Sequence, residues 1–326
     1  MTQRILYFVP ADARLRALIE AEKPDGYEMV YLDTGDEAEK LAKLGDADII
    51  IVGAVRLSEE HVAAAPRLRL VLHQGVGYHD TVAIGALRDR QIGLAVTPGG
   101  TPEGVAEHTI MMMLAVGRRL CFQDSELRAG RWHSNTFRAE ARGLGGATVG
   151  IIGLGRIGKQ VARRLVPFGC TVLYHDIVEM DPAVEAELHV RRAPFGTLLN
   201  TVDYLTLHVP LTDLTRHMID GDALARMKPE TILINCARGP VVSETALYDA
   251  LQGGHLGGVG LDVFEIEPVM GPSVFAEFRN VVLTPHNAPG TRDIMQRKFR
   301  DVFANAVRFR EGDSLQDRIE LQGEWL

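Results

Sequence analysis

Cysteine is scarce in this chain. Cys121, Cys170 and Cys236 are the only three in 326 residues, odd in number and widely spaced. That fits neither a disulfide framework nor a metal cluster, and it suits a reducing, cytoplasmic setting. There is no block of Lys or Arg. Basic and acidic residues, 35 and 43, are interspersed and leave a net charge of −8. Nucleic acid is therefore not an expected partner, although one arginine in a pocket is enough to bind a small anion. Long apolar runs are missing too. Residues 109–116 fall far short of a membrane span, so no membrane partner is expected. Residues 5–9, stopped by Pro10, are too short for the core of a secretion signal and read as a first strand. Neither a repeat of solenoid length nor a low-complexity segment is found.

What is there is ordinary globular composition, 46% hydrophobic and 24% charged, at a length that predicts two domains. Buried strands are expected at 5–9, 28–32, 48–52, 68–73 and 94–97. Helix-like segments lie between them at 13–22, 37–44, 58–64 and 81–90. Such alternation predicts a parallel sheet covered on both faces. The cluster Pro98-Gly99-Gly100-Thr101-Pro102 breaks the pattern. A long apolar helix at 103–121 is then expected to cross between domains. After a second glycine-rich break at 143–147, strands are expected again at 148–152, 171–174, 204–208, 231–235, 258–261 and 281–284. A last amphipathic helix is expected at 292–310. The fold class is α/β, with two doubly wound parallel sheets.

Gly153-Leu154-Gly155-Arg156-Ile157-Gly158 follows the strand at 148–152. Gly153 permits the tight turn, Gly155 lets a pyrophosphate approach the backbone, and Gly158 lets helix and strand pack closely. The helix start, at Arg156 and Ile157, then offers N–H groups to phosphate. Alone the pattern is weak. Its context makes it specific, because Asp176 ends the next strand, where a carboxylate accepts ribose hydroxyls. Ile177 and Val178 follow it, not Arg or Lys. A carboxylate there repels a 2′-phosphate, so NAD is expected in preference to NADP. The bland alternative is a tight turn with a surface aspartate.

Three later strand ends carry Arg238 (in Asn235-Cys236-Ala237-Arg238-Gly239), Glu267 (in Asp262-Val263-Phe264-Glu265-Ile266-Glu267-Pro268) and His286 (in Thr284-Pro285-His286). Carboxyl ends of strands face the ligand crevice in doubly wound sheets. Arginine offers a fork for a carboxylate, and histidine exchanges a proton near neutral pH. A carboxylate beside it favours the imidazolium. Taken singly, Arg238 reads equally as a surface charge, Glu267 as a loop carboxylate and His286 as a capped core histidine.

From about residue 70 to 290 the chain resembles the D-isomer-specific 2-hydroxyacid dehydrogenases. The matching residues are Gly75-Val76-Gly77-Tyr78, Val105-Ala106-Glu107-His108, 149–158, His208-Val209-Pro210-Leu211-Thr212, 235–239, 262–268 and Thr284-Pro285-His286. The resemblance implies an NAD-dependent enzyme reducing a 2-oxo acid to a D-2-hydroxy acid. It implies Arg238 orienting the substrate, His286 as acid/base and Glu267 as its partner. Cys236, with Ala237 in the same run, and Asp262 would lie near the nicotinamide, and His208, Val209 and Pro210 near the adenosine. The backbone of Val76 and Gly77 would hold the substrate carboxylate. It further implies a Rossmann cofactor domain, 100–287, inserted into a flavodoxin-like substrate domain formed by 1–99 and 288–326. A homodimer through the cofactor domains is also implied. Met111, Met112, Met113 and Leu114 give the helix at 103–121 more apolar surface than one groove needs, unless it is wholly buried.

His79-Asp80, Thr101 and Asn287-Ala288-Pro289 depart from the pattern many relatives show, which leaves the substrate open. His73 and His79 read equally as substrate contacts or as ordinary loop and strand-end residues. Related enzymes act on 3-phosphoglycerate or phosphite. The stretch 75–81 has no Lys or Arg for a phosphorylated substrate, and an end at Leu326 leaves no room for the regulatory domain of some phosphoglycerate enzymes. Other relatives are corepressors that sense NADH.

Overall fold

The computed structural model describes residues 2–321. It divides into two compact units, one formed by the chain up to Thr101 together with the segment from Gly290 onward, the other by Pro102–Pro289.

The first unit holds five parallel strands: β1 (Gln3–Pro10), β2 (Tyr27–Leu32), β3 (Ile49–Val52), β4 (Leu70–His73) and β5 (Gly93–Val96). Their order, β2-β1-β3-β4-β5, is the flavodoxin-like one. Strands such as Ile49-Ile50-Ile51-Val52 are buried at every residue, because successive side chains feed opposite faces and both faces are covered. Leu6, Phe8, Ile50, Val52 and Val71 pack on one side with Leu44, Val62 and Leu87 from three helices. Ile5, Tyr7, Ile51 and Leu72 pack on the other with Ile19 and with Phe299, Val302 and Phe303. The last three come from the helix Arg292–Glu311, so the chain's final helix covers its first sheet. The tail beyond it runs antiparallel along β5, with Val96 N–H donating to Asp317 O at 3.1 Å and Ile319 N–H to Leu94 O at 2.9 Å.

The second unit has seven parallel strands: β6 (Thr148–Ile152), β7 (Thr171–His175), β8 (Val190–Arg192), β9 (Tyr204–Leu207), β10 (Ile232–Asn235), β11 (Gly258–Leu261) and β12 (Val281–Leu283). Their order is β12-β11-β10-β9-β6-β7-β8, the Rossmann arrangement reversing between β6 and β9. The short strand β8 and the helices Pro182–Leu188, Phe195–Thr201, Gly221–Arg226 and Glu244–Gln252 add to the strands read from sequence. The helix expected at 103–121 is shorter. It spans Thr101–Gly117 and stops where Arg119 takes a left-handed φ of 55°, after which a separate helix runs Leu120–Arg128. A Cβ at Gly117 would lie 2.6 Å from the Tyr204 hydroxyl and 2.7 Å from Arg142 O, so the end of the helix packs closely there. Met112 and Met113 are fully buried, which makes them core residues and removes them as an exposed surface.

Candidate active site

Every candidate in the second unit sits at the carboxyl edge of its sheet, because all seven strands are parallel. At β6 the turn is dictated by glycine. Gly153 has φ +91°, and a Cβ there would lie 2.6 Å from His208 O and 2.9 Å from Val209 Cγ1. A Cβ on Gly158 would lie 2.1 Å from Gly153 O, whereas one on Gly155 would meet nothing within 4 Å. Gly153 and Gly158 therefore draw the turn, the helix and the end of β9 together, while Gly155 faces open space of the kind a phosphate fills. The helix Arg156–Leu165 has no side-chain N-cap, and such an end favours an anion. Ile157 packs on the core beneath it.

Asp176 follows β7 and is half-buried. Its carboxylate accepts from Leu154 N–H at 2.7 Å and Val178 N–H at 2.9 Å. About four lone-pair sites exist on a carboxylate, so capacity for ribose hydroxyls remains. Arg192, on β8, donates to the backbone oxygen of Asp176 at 3.1 Å. The two lie 16 residues apart in sequence, so no local pattern points to this neighbour. At the end of β9, His208 Nε2 lies 3.0 Å from Thr206 Oγ1, and its Nδ1 is buried with no partner. Burial pushes the His208 imidazole down to about 3, so the ring is neutral. An orphaned ring nitrogen beside the glycine turn suits a ligand that supplies the missing bond. Val209 packs partly on the core, and Pro210 O accepts from Thr215 Oγ1 at 2.6 Å.

The loops after β10 and β11 carry Arg238 and Glu267 and pack together. A Cβ on Gly239 would overlap Phe264 C and O at 1.9 Å, so only glycine allows the Arg238 loop to pack directly on the loop that carries Glu267. Asn235 stiffens the former by donating to Arg238 O at 2.9 Å and accepting from Ala237 N–H at 3.0 Å. Glu244 and Glu265 tie the two loops again, each accepting the other's backbone N–H, at 2.8 and 3.1 Å. Cys236 and Ala237 are buried apolar residues. Burial pushes the Cys236 thiol upward, as does the nearby Asp262 charge, so its side chain serves the core.

Glu267 Oε2 lies 2.6 Å from His286 Nδ1, and its other oxygen accepts from Phe264 N–H at 2.8 Å. Burial raises the Glu267 pKa, but the His286 hydrogen bond and charge, the Phe264 N–H and the Arg238 charge together bring it below 4.5. The carboxylate is thus ionised at neutral pH and faces the imidazole. His286 itself has φ +50°, rare for a residue bearing a Cβ. Its N–H donates to Asp262 O at 2.7 Å and Thr284 O at 3.1 Å. The Asp262 carboxylate accepts from Asn287 N–H at 3.1 Å, Ala288 N–H at 2.9 Å and the Thr284 hydroxyl at 2.5 Å. Asp262 is fully buried, so the structure gives it a loop-holding role that sequence spacing did not reveal. Val76 and Gly77 follow β4 in the first unit, where Thr81 Oγ1 bonds Gly77 O at 3.0 Å and His73 Nε2 at 3.1 Å. No cluster of three metal-ligating side chains occurs among the described residues.

Residues 110–288 match the family model described as D-isomer specific 2-hydroxyacid dehydrogenase, NAD binding domain. The chain belongs to this family. It is 39% identical over 259 residues to the glyoxylate reductase of Korarchaeum cryptofilum, covering 79% of this chain and 77% of that one. It is 36% identical over 301 residues to the D-3-phosphoglycerate dehydrogenase of Mycobacterium leprae, covering 92% of this chain but only 56% of that protein. The chain thus spans about half the length of the phosphoglycerate dehydrogenases it matches. In fold it is similar to the D-lactate dehydrogenase of Aquifex aeolicus complexed with NAD and lactic acid, with a TM-score of 0.82, 30% identity and 95% and 96% of the two chains covered.

Proposed function

We propose that this family member interconverts a 2-oxo acid and a D-2-hydroxy acid with NAD(H). The observation that carries the reading is the 2.6 Å Glu267–His286 pair, with Glu267 on a loop packed against the one that bears Arg238. When bound, the nicotinamide supplies or takes up the hydride at C2 of the acid. Arg238 presents a planar fork to the substrate carboxylate. In reduction, His286 gives the proton from Nε2 that turns the carbonyl oxygen into a hydroxyl; in oxidation, neutral His286 accepts it back. Glu267 at Nδ1 fixes the ring's orientation. Gly155, the uncapped helix start and Asp176 fit a dinucleotide, with Asp176 favouring NAD. His208 Nδ1 would bond the adenosine side.

The test is the loss of NADH absorbance with glyoxylate, hydroxypyruvate, pyruvate, bulkier 2-oxo acids and 3-phosphohydroxypyruvate. Turnover of an unphosphorylated acid supports the reading. Preference for the phosphorylated one would favour the second reading, phosphoglycerate chemistry, for which the 36% identity to the M. leprae protein speaks. Tight NADH binding with no turnover of any would overturn both in favour of a nucleotide-sensing protein. We further infer a homodimer through the cofactor unit. Met111, Leu120, Leu127 and Trp132 are exposed there, Trp132 to 77%. Light scattering that finds a monomer at micromolar concentration ends that inference. Three free cysteines fit a reducing cytoplasm.

A further inference from the structure

We infer that His108 is a positioning residue for the His286 loop, acting through Thr284 and Asp262. His108 lies on the helix Thr101–Gly117, far from the loop in sequence, yet its Nε2 is 3.0 Å from Thr284 Oγ1. Thr284 Oγ1 is in turn 2.5 Å from Asp262 Oδ1. The direction of these bonds follows from the chemistry of each group. Both Asp262 carboxylate oxygens already accept backbone N–H groups, and the Thr284 hydroxyl donates to one of them. Its oxygen is then left to accept, and the donor is His108, with its ring proton on Nε2. Burial lowers the His108 pKa by more than the Asp262 charge raises it. The ring is therefore neutral near pH 7 and has one proton, which this chain commits to Nε2. Direct contact between His108 and Asp262 is 3.6 Å, too long for a hydrogen bond, so Thr284 is the necessary link.

What the chain holds is the backbone that presents His286. Three successive N–H groups, at 286, 287 and 288, all end on Asp262. Asp262 thereby holds His286 at its positive φ. A left-handed turn at a residue with a Cβ persists only when its surroundings over-determine it. His108 completes that determination by fixing the Thr284 rotor, and with it the carboxylate. It touches neither His286 nor Glu267 in the hydrogen-bond network, so its effect is on the aim of the ring.

The inference rests on the proposed acid/base role of His286 only for its kinetic arm. In the full-length enzyme with NADH and the 2-oxo acid it turns over best, His108→Leu should lower kcat about tenfold, the worth of one well-placed bond. KM and the Kd for NADH should stay within about twofold. His108→Gln, which keeps an N–H donor, should recover most of kcat. Thr284→Val should match His108→Leu, and the double variant should lose no more than either alone, since both cut one chain. A second readout needs no substrate: amide hydrogen exchange at Asn287 and Ala288 should speed up in both single variants. Unchanged exchange at those amides overturns the inference. So do equal losses in the Leu and Gln variants, additive losses in the double variant, or a loss confined to KM or Kd. If wild type turns over no acid, the exchange arm still decides. If His108→Leu does not fold, Thr284→Val decides alone by the same criteria.

Discussion

His286 at φ +50° holds a backbone conformation that costs on the order of 1–3 kcal/mol, and the Asp262 carboxylate and carbonyl offset it. A loop so constrained points the Nδ1 side of the ring at Glu267. His286→Ala should lower kcat by about 10²–10⁴-fold with NADH affinity retained, as steady-state kinetics beside fluorescence titration will show; near-full activity would remove His286 from the chemistry. Glu267 makes a pH-dependent contribution as well. Its folded pKa lies below the usual 4.5, so its stabilisation is full above that pH and is lost as pH falls through the lower folded value. The Tm gap between wild type and Glu267→Gln should therefore be widest above pH 4.5 and close on acidification; a gap that ignores pH contradicts the pairing. Asp176→Ala removes the carboxylate but leaves Arg192 at the same turn. NADH should bind more weakly and NADPH gain relative to it, measured as the ratio of the two kcat/KM values. Arg238, Glu267 and His286 stand out in the sequence as candidates because each follows a strand of a recognisable series. His108 and Arg192 were not given these roles, because each acts across a sheet or helix that only folding brings near.

Elements were readable in proportion to their burial. β3, β4 and β9 to β11 are buried at every residue, so their sequences are dominated by apolar residues, unbroken in Ile49-Ile50-Ile51-Val52. β8 escaped notice because Val190-Arg191-Arg192 is an edge strand with both arginines exposed; nothing in it alternates. The apolar helix is shorter than its pattern predicts, because the backbone turns left-handed at Arg119, which apolar spacing does not encode. Between elements, Gly239 is decisive. Gly239→Ala would set a methyl 1.9 Å from Phe264 backbone atoms, which cannot give way as a side-chain tip can. The loops should part at a cost of roughly 1–3 kcal/mol or more, lowering Tm and kcat/KM together. A variant with wild-type melting and kinetics would show that the two loops need no such contact.

At the scale of the whole molecule, the two sheet orders are set by separate cores, each with apolar side chains on both faces. The alternation of strands and helices forecast both sheets, but the pairing order needed long-range contacts that no local pattern encodes. Separate cores predict separable damage. Phe299→Ala empties a fully buried site against Tyr7, whose ring centroid is 5.9 Å away. It should destabilise the first unit by about 3–5 kcal/mol while NADH still raises the melting temperature of the second through binding. Calorimetry with and without NADH checks this; loss of NADH protection would show that the units do not melt apart.

The return of the helix Arg292–Glu311 to the first sheet also governs how the protein is made. The ribosome delivers β1 to β5 early, yet the helix that covers Ile5, Tyr7, Ile51 and Leu72 follows only after all of Pro102–Pro289 has been synthesised. At about 5–20 residues per second, that apolar face waits roughly ten to forty seconds for its cover. Until then only the helix Ala13–Glu22 packs on that face, while the nucleotide-binding unit, contiguous in sequence, can close on itself as soon as it emerges.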